Sequence, residues 1–324
     1  MTKAIVFREA GGPEVMKWEQ VDVGRPGSGE VRIRHTAVGL NFIDVYFRTG
    51  LYPAPLPATP GLEAAGIIEE IGEDVTGLTV GDRVAYAGRP LGAYAEARII
   101  PADILIKIPD GIDDQTAAAM MLQGMTVEYL LQRTFHVKQG DTILFHAAAG
   151  GVGLLACQWA KHIGATVIGT VGSEEKGALA QAHGCDHIIN YRSEDFVARV
   201  MEITNGAGVP VVYDGVGKDT FGGSLDCLQS RGMMVSYGNA SGPVTGLDLS
   251  LLTAKGSLFV TRPSLMDYTA TRPELEQSAA DVIKLVEKGA LKLTIGQTYP
   301  LSEAVKAHED LENRKTTGST ILTV

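Results

Sequence analysis

The stretch TILFHAAAGGVGLLACQWAK, residues 142–161, decides the fold. It begins with β-forming apolar residues, passes through a turn of small residues and ends in an apolar helical pattern. The turn AAGGVG, residues 148–153, follows the dinucleotide-binding fingerprint with Ala in place of its first Gly. A strand, this turn and a helix in that order predict a nucleotide site at the helix N-terminus. A glycine turn in a packed domain without a ligand is the alternative interpretation.

The small residues of this turn have separate physical roles in such a site. Ala148 permits the tight turn, and a glycine at position 150 lets the backbone approach a pyrophosphate. A glycine at position 153 lets the helix pack closely against the strand. We therefore predict that the cofactor phosphates contact Gly150, Gly151, Val152 and Gly153.

Bulk composition limits the class of protein. The chain has 324 residues, 45% of them hydrophobic, which favours two domains. A formal net charge of −10 disfavours a nucleic-acid surface. The sequence shows neither a secretory signal nor a membrane span, and its three cysteines fit neither a disulfide framework nor a metal knuckle. We therefore expect a cytoplasmic protein with no nucleic-acid or membrane partner.

The order of predicted elements indicates the fold class, α/β. Short alternating runs, such as residues 31–35 and 83–86, predict that the first hundred residues are rich in β-strands. From residue 116 we predict a helix, a break at Gly124 and a second helix. From about residue 141 strands and helices alternate, which predicts a doubly wound parallel sheet. Its predicted strands are residues 142–145, 166–170, 187–190, 210–214, 233–237 and 257–261, followed by a helix over 273–288 and a strand over 318–324.

This order also predicts two domains. We expect residues 1–123 and 265–324 to form one catalytic domain, and residues 124–264 to form the dinucleotide-binding domain. The cleft between the two domains is the expected ligand site. The strand predicted over 257–261 is apolar and would be exposed at the edge of the sheet. We therefore expect two copies of the chain to pair there as a symmetric dimer.

Motifs in both predicted domains resemble those of medium-chain dehydrogenases/reductases. Residues 61–72, GLEAAGIIEEIG, resemble the family signature GHExxGxxxxxG. Residues 140–161 are similar to the signature of quinone oxidoreductases of the zeta-crystallin type, and GLNFIDVYFRTGLYP (39–53), VVYDGVG (211–217) and VTRPSL (260–265) extend the resemblance over nearly the whole chain. The resemblance implies a GroES-like β-rich catalytic domain, a Rossmann-type nucleotide domain and NADPH-dependent reduction of quinones.

The residues that bind zinc in the alcohol dehydrogenases of this family are missing. Leu62 stands where the signature has His, the expected Cys is replaced within residues 41–44, and residues 90–115 contain no Cys. Leucine cannot bind a metal, so we predict a zinc-independent protein. Without this Lewis acid, plain alcohols and ketones are poor substrates. A quinone becomes aromatic on reduction and accepts hydride without a metal; an activated enone is the second choice.

The choice of nicotinamide cofactor depends on the end of the second strand of the parallel sheet. Sites for NAD usually carry an acid about 20 residues after the fingerprint to bind the ribose 2′-OH, and here no acid ends that strand. The family resemblance implies that Lys176 and Tyr191 bind the 2′-phosphate of NADP, and Ser173 can donate to it. We therefore predict NADPH. Glu174 or Glu175 binding the ribose of NAD is the alternative, although acids at a helix start suit the dipole.

Further cofactor contacts are predicted near the nicotinamide and its ribose, from the resemblance and from positions after strand ends. They are Asn41, Thr126, Tyr237, Gly238, Asn239, Ser241, Val260, Arg262 and Arg314. For Arg314, a solvated position at a helix end is an equal alternative. Gln123 stands where the family often has Lys, so we assign no charge to that position.

The predicted quinone-facing residues are Asn41, Tyr46, Arg48 and Tyr52, by resemblance to the family's cluster. A tyrosine hydroxyl can orient a quinone oxygen, and its ring can stack on the quinone; packing of the tyrosines between domains is the alternative. No His–Asp or Cys–His pair indicates acid–base or nucleophilic catalysis, so the proton donor stays open, as do the particular quinone and one-electron against hydride transfer.

Two other functions stay open. One is an NADPH-dependent enone or alkenal reductase. The other is an NADPH-binding protein with a structural or RNA-binding role, which the resemblance allows and the acidic charge disfavours.

Overall fold

The computed structural model describes residues 2–324. Among them the chain divides into two compact units. The first unit combines the chain up to Met125 with Thr269–Glu287 and Leu293–Val324. The second unit comprises Thr126–Tyr268 and Lys288–Lys292. Both chain ends therefore contribute to the same unit.

The first unit is built on a seven-stranded sheet and a two-stranded ribbon. The sheet has the order β14-β15-β3-β4-β5-β7, and β6 also pairs with β3. The long strand β3 is central because it pairs antiparallel with β4, β6 and β15. The strands are β1 Thr2–Val6, β2 Lys17–Val21, β3 Glu30–Leu40, β4 Glu63–Ile71, β5 Arg83–Ala87, β6 Ala97–Pro101, β7 Ile106–Lys107, β14 Ile295–Pro300 and β15 Ser319–Thr323.

Four helices accompany this sheet: α1 Phe42–Arg48, α2 Asp114–Glu128, α9 Arg272–Glu287 and α10 Ala304–Glu312. The short helix α1 follows β3 directly and was not expected from the sequence. Apolar residues of the strands and of α10 form one core, for example Ile33, Ile68, Ile100, Leu322 and Ala307. Buried residues alternate with more accessible ones over the first eight positions of β3, which explains why this region shows period-two patterns.

The predicted helix break at Gly124 is wrong. The helix α2 runs without interruption through Gly124, ends at Glu128 and continues as a π-helix over Tyr129–Thr134. A Cβ atom on Gly124 would lie 2.6 Å from Cγ1 of Val282 in α9. Glycine is needed here for the close approach of two helices, and the sequence pattern cannot distinguish this role from a turn.

The second unit confirms the predicted doubly wound parallel sheet. Its six strands have the order β10-β9-β8-β11-β12-β13. The strands are β8 Thr142–Phe145, β9 Thr166–Val171, β10 His187–Asn190, β11 Val209–Asp214, β12 Leu228–Ser236 and β13 Phe259–Thr261. The helices are α3 Gly151–Ile163, α4 Glu174–Ala182, α5 Phe196–Ile203, α6 Phe221–Asp226, α7 Leu249–Ala254 and α8 Leu265–Tyr268. Strand β12 begins earlier than predicted, and β13 is shorter.

Burial explains the continuous apolar runs of these strands. Residues of β8, β9, β10 and β11, such as Leu144, Ile168, Ile189 and Val212, belong to one buried cluster. The strand order reverses direction between β8 and β11, which creates the topological switch point at which such sheets bind ligands. Among the helices of residues 2–324, none combines the length and the apolar character that crossing a bilayer requires.

Candidate active site

The fingerprint turn places a helix N-terminus at the switch point. After β8, Ala147 adopts φ 55° and the backbone N–H of Ala148 donates to the carbonyl oxygen of Thr170 at 3.0 Å. Gly150 is the N-cap of α3, and the helix begins at Gly151. A Cβ atom on Gly153 would lie 2.4 Å from the carbonyl oxygen of Ala147, so only glycine lets the helix start this close to the turn. The first-turn N–H groups of an α-helix have no partner within the helix and can bind phosphate.

The predicted 2′-phosphate residues lie around the turn that follows β9. Ser173 is the N-cap of α4, and its Oγ accepts a hydrogen bond from the backbone N–H of Lys176 at 3.3 Å. Tyr191 follows β10 and is 39% exposed. Its hydroxyl oxygen lies 2.6 Å from the position that a Cβ atom of Gly172 would occupy, so the ring lies against this turn. Ser173, Lys176 and the Tyr191 ring therefore lie around one turn at the carboxyl edge of the sheet.

The two acids that would bind the ribose in the alternative interpretation, with NAD as the cofactor, are both exposed. Glu174 and Glu175 occupy the first turn of α4, where a negative charge interacts favourably with the helix dipole.

The loop after β12 is held by backbone contacts and by one arginine. The backbone N–H of Tyr237 donates to the carbonyl oxygen of Asp214 at 2.9 Å, and a Cβ atom on Gly238 would lie 2.3 Å from the carbonyl oxygen of Gly215. Arg262 donates to the carbonyl oxygens of Ser236 and Gly238 at 2.8 and 3.0 Å. Arg262 therefore fixes this loop through its main chain.

Other predicted cofactor residues lie near this loop or at separate places. The amide of Asn239 is oriented so that its nitrogen and its oxygen each have a hydrogen-bond partner. In this orientation the oxygen accepts from Arg262 at 2.9 Å. Ser241 Oγ donates to the carbonyl oxygen of Val216 at 2.9 Å. Val260 is half-buried in β13, and Thr126 is buried in α2. Arg314 is exposed just after α10.

In the first unit, Asn41 lies within a group of buried polar side chains. Its Nδ2 donates to Oε2 of Glu63 at 2.7 Å, and its Oδ1 accepts from Nε2 of Gln123 at 3.1 Å. Gln123 in turn accepts from the hydroxyl of Ser319 at 2.8 Å. The backbone N–H of Asn41 donates to Oδ2 of Asp44 at 3.0 Å. These contacts fix the orientation of the Asn41 amide.

Two buried carboxyl groups support this arrangement. Glu63 and Asp44 are fully buried. Burial raises the pKa of Glu63 to about 8 and the pKa of Asp44 to about 7, although hydrogen bonds to each carboxyl group partly oppose the shifts. Glu63 also accepts from the backbone N–H of Leu122 at 2.7 Å, and Asp44 accepts from the hydroxyl of Tyr94 at 3.0 Å.

The two predicted tyrosines form a pair. The rings of Tyr46 and Tyr52 meet edge to face with centroids 5.2 Å apart, and the backbone N–H of Tyr52 donates to the carbonyl oxygen of Tyr46 at 3.0 Å. Tyr46 is buried and Tyr52 is half-buried. The two rings therefore pack against each other within the first unit, and the Tyr52 ring is the more accessible of the two.

Arg48 does not fit the predicted quinone-facing role. Its side chain is 1% exposed, and both terminal nitrogens donate to the carboxylate of Glu312 at 2.7 and 2.9 Å. Its Nε donates to the carbonyl oxygen of Gly11 at 3.1 Å, and one terminal nitrogen lies 3.2 Å from Nδ1 of His308. Because these partners occupy the guanidinium, Arg48 anchors α1 inside the first unit.

Comparison with known proteins agrees with this architecture. Residues 27–110 match the model of the alcohol dehydrogenase GroES-like domain, and residues 151–284 match that of zinc-binding dehydrogenase. The quinone oxidoreductase of Pseudomonas aeruginosa is 53% identical over 323 residues, which cover 99% of both chains. The chain belongs to the quinone oxidoreductase family. This finding confirms the resemblance seen in the sequence to zeta-crystallin-type members of the medium-chain dehydrogenases/reductases.

Two further family comparisons are informative about ligands. The Escherichia coli quinone oxidoreductase, in a crystal structure with NADPH, superimposes with a TM-score of 0.98 at 49% identity over 100% of both chains. The 2-haloacrylate reductase of a Burkholderia species is 48% identical over 330 residues, which cover 99% of both chains. Within residues 2–324 of this member of the quinone oxidoreductase family, no group of three or more His, Cys, Asp or Glu side chains could hold a metal ion.

The sequence prediction missed several buried polar residues of this family member. Asp44, Glu63 and Tyr94 in the first unit, and His146 and Asp214 in the second, were not assigned roles. For Glu63, the available signal in the sequence was a lone acid at the start of an apolar run.

Proposed function

We propose that this chain catalyses the NADPH-dependent reduction of quinones without a metal. The full-length similarity to quinone oxidoreductases, including the NADPH-bound E. coli enzyme, carries this proposal. In it, residues 1–123 with 265–324 form the catalytic domain and residues 124–264 form the dinucleotide-binding domain.

The second unit supplies groups that suit NADPH. The N-terminus of α3 starts close to the fingerprint turn because Gly153 has no Cβ, and its first-turn N–H groups suit a pyrophosphate. In this proposal the contacts come from Gly150, Gly151, Val152 and Gly153. Ser173, Lys176 and Tyr191 bind the 2′-phosphate, because a hydroxyl and an ammonium group favour a dianion and no acid ends β9.

The nicotinamide end is assigned to residues that the family resemblance and the strand ends indicate. Bound NADPH would supply the reducing equivalents, and the protein binds and orients the acceptor and excludes water. Tyr52 and Tyr46 present an aromatic pair to a planar acceptor, and Asn41 offers a rigidly oriented amide. The remaining proposed contacts are Thr126, Tyr237, Gly238, Asn239, Ser241, Val260 and Arg262.

Turnover assays with two acceptors test this function. We expect NADPH oxidation to be at least tenfold faster with a 1,4-naphthoquinone than with a small enone at equal concentration, because aromatisation drives quinone reduction. The 48% identity with a 2-haloacrylate reductase favours an activated-alkene reductase as the second candidate. Faster turnover of the enone would support that candidate instead. NADPH binding without turnover of either acceptor would favour a non-enzymatic role.

We also propose a symmetric dimer that forms at β13. This strand is the edge of the six-stranded sheet, and Phe259 on it is 58% exposed. Phe259→Glu is expected to convert the dimer to a monomer, because the added charges repel each other across a symmetric interface. Light scattering at micromolar concentration measures the mass. Val80→Glu, at another exposed apolar position, is the control and is expected to leave the mass unchanged. A monomeric wild-type chain would exclude this interface.

A cytoplasmic location is part of the proposal. All three cysteines, Cys157, Cys185 and Cys227, are buried and free, which suits a reducing compartment.

A further inference from the structure

A line of buried polar side chains crosses three neighbouring strands of the second unit. Thr170 lies in β9, His146 follows β8, Asp214 ends β11 and Ser224 lies in α6. All four side chains are buried. Oγ1 of Thr170 lies 2.9 Å from Nδ1 of His146, Nε2 of His146 lies 2.9 Å from Oγ of Ser224, and Ser224 Oγ lies 3.1 Å from Oδ2 of Asp214. We call this line the Thr170–Asp214 network.

The carboxylate at one end fixes the direction of the first two hydrogen bonds. An ionised carboxylate only accepts, so the single hydroxyl hydrogen of Ser224 points to Asp214. Ser224 Oγ must then accept from Nε2–H of His146. Burial lowers the pKa of His146, which favours the neutral ring with its one hydrogen on Nε2. In that tautomer Nδ1 accepts from the hydroxyl of Thr170.

Near its Thr170 end, the network meets the phosphate-binding turn through His146. His146 is the residue directly after β8, and its backbone N–H donates to the carbonyl oxygen of Tyr213 in β11 at 3.0 Å. Two residues later, Ala148 donates its N–H to the carbonyl oxygen of Thr170. Main chain and side chains thus join the turn to both neighbouring strands.

At the other end, Asp214 organises the loop that faces residues 237–242. Its Oδ1 accepts from the backbone N–H groups of Val216 and Gly217 at 2.8 and 3.0 Å, and its Oδ2 also accepts from the hydroxyl of Thr220 at 2.7 Å. The carbonyl oxygen of Val216 then accepts from the backbone N–H of Ser241 at 2.8 Å. The conformation of the proposed nicotinamide-side loop therefore depends on the Asp214 carboxylate.

We propose that the Thr170–Asp214 network is a positioning device that fixes the spacing between the phosphate-binding turn and the loop 237–242. This inference rests on the proposed function, and it assigns the four side chains no contact with the ligand. A whole dinucleotide must engage both places at once, whereas a fragment with only the adenosine phosphates engages one. The preset spacing therefore strengthens binding of the whole cofactor and not of the fragment.

Calorimetric titration of two ligands separates this role from a general structural one. In Ser224→Ala, which removes the hydroxyl between His146 and Asp214, we expect the Kd of NADPH to rise about tenfold. The Kd of 2′,5′-ADP is expected to stay within about twofold of the wild-type value. Thr170→Val, which keeps the side-chain shape and removes one hydrogen bond, should act in the same direction. It serves as the second variant if Ser224→Ala does not fold.

Ser278→Ala is the matched control, because this serine is equally buried in α9 of the first unit. It should change neither Kd. Equal weakening of both ligands by the network variants, or unchanged NADPH binding, would overturn the positioning role alone. Failure of the wild-type chain to bind NADPH would instead overturn the proposed function together with this inference.

Discussion

Lys176→Ala is expected to weaken NADPH binding by about 10- to 100-fold and to leave NADH binding within about twofold. The expected loss corresponds to about 1.4–2.8 kcal/mol, the range for one charge-assisted contact with a phosphate. NADH lacks the 2′-phosphate and so does not require the ammonium group. The shift in melting temperature with each cofactor, followed by calorimetric Kd values, measures this selectivity.

A second variant tests the same pocket without loss of the helix cap. Ser173 caps α4, and aspartate caps a helix as well as serine does. Ser173→Asp should therefore keep the fold while its negative charge repels the 2′-phosphate and lowers the preference for NADPH. Lys138→Ala is the control: this lysine precedes β8, at the amino-terminal edge of the same sheet. Equal losses for NADPH and NADH in Lys176→Ala would contradict the assignment of the pocket.

The nucleotide-binding half of the fold could be predicted because its signals are local. Strands covered on both faces read as short apolar runs, as in residues 142–145 and 187–190. The fingerprint turn specifies its own geometry through Gly153, whose missing Cβ permits contact with the nearby residue Ala147. The error at Gly124 has the opposite origin, since the residue that requires glycine there is Val282, far along the chain.

The buried polar residues could not be predicted because their partners are distant in sequence. Arg48 looks like a solvent-facing or ligand-facing charge until Glu312 is brought beside it. His146 looks like a turn residue until Thr170 and Ser224 reach its two ring nitrogens. Charged and polar residues are usually exposed, so sequence reasoning assigns them to surfaces or ligands by default. Only the packed fold shows which of them serve other protein groups.

The second large expected effect is a pH dependence of folding stability, which arises from the buried carboxyl groups that hydrogen-bond to Asn41. We expect the contribution of Asp44 to folding stability to decline as the pH rises from about 4 to about 7. Burial raises the pKa of Asp44 to about 7, above its usual value of 3.8, so the folded state holds this proton more tightly than the unfolded state. Such a group stabilises the fold fully below the unfolded pKa, and the contribution is lost as the pH rises through the folded pKa. A shift of this size corresponds to about 4 kcal/mol.

Urea unfolding of wild type and Asp44→Asn at pH 5 and pH 9 measures the part of this contribution that is lost above pH 5, about 3 kcal/mol. The neutral amide does not ionise, so the variant should gain stability relative to wild type as the pH rises, and it should be the more stable protein at pH 9. Burial raises the pKa of Glu63 to about 8, so the contribution of Glu63 to stability also declines as the pH rises, in both proteins. His308 acts in the opposite sense, because burial lowers its pKa to about 3, and comparison of the two proteins removes most of its effect.

A carboxyl group with the opposite shift provides the control. Hydrogen bonding to Lys306 is the main cause that lowers the pKa of Asp310 to about 2, so its contribution is present at neutral pH and is lost only as the pH falls toward 2. Asp310→Asn should therefore differ from wild type by the same amount at pH 5 and pH 9. A difference between wild type and Asp44→Asn that does not change with pH would show that Asp44 is ionised in the folded protein. In that case, a charged carboxylate rather than a neutral acid would hold the backbone of Asn41 and accept the hydrogen bond of Tyr94.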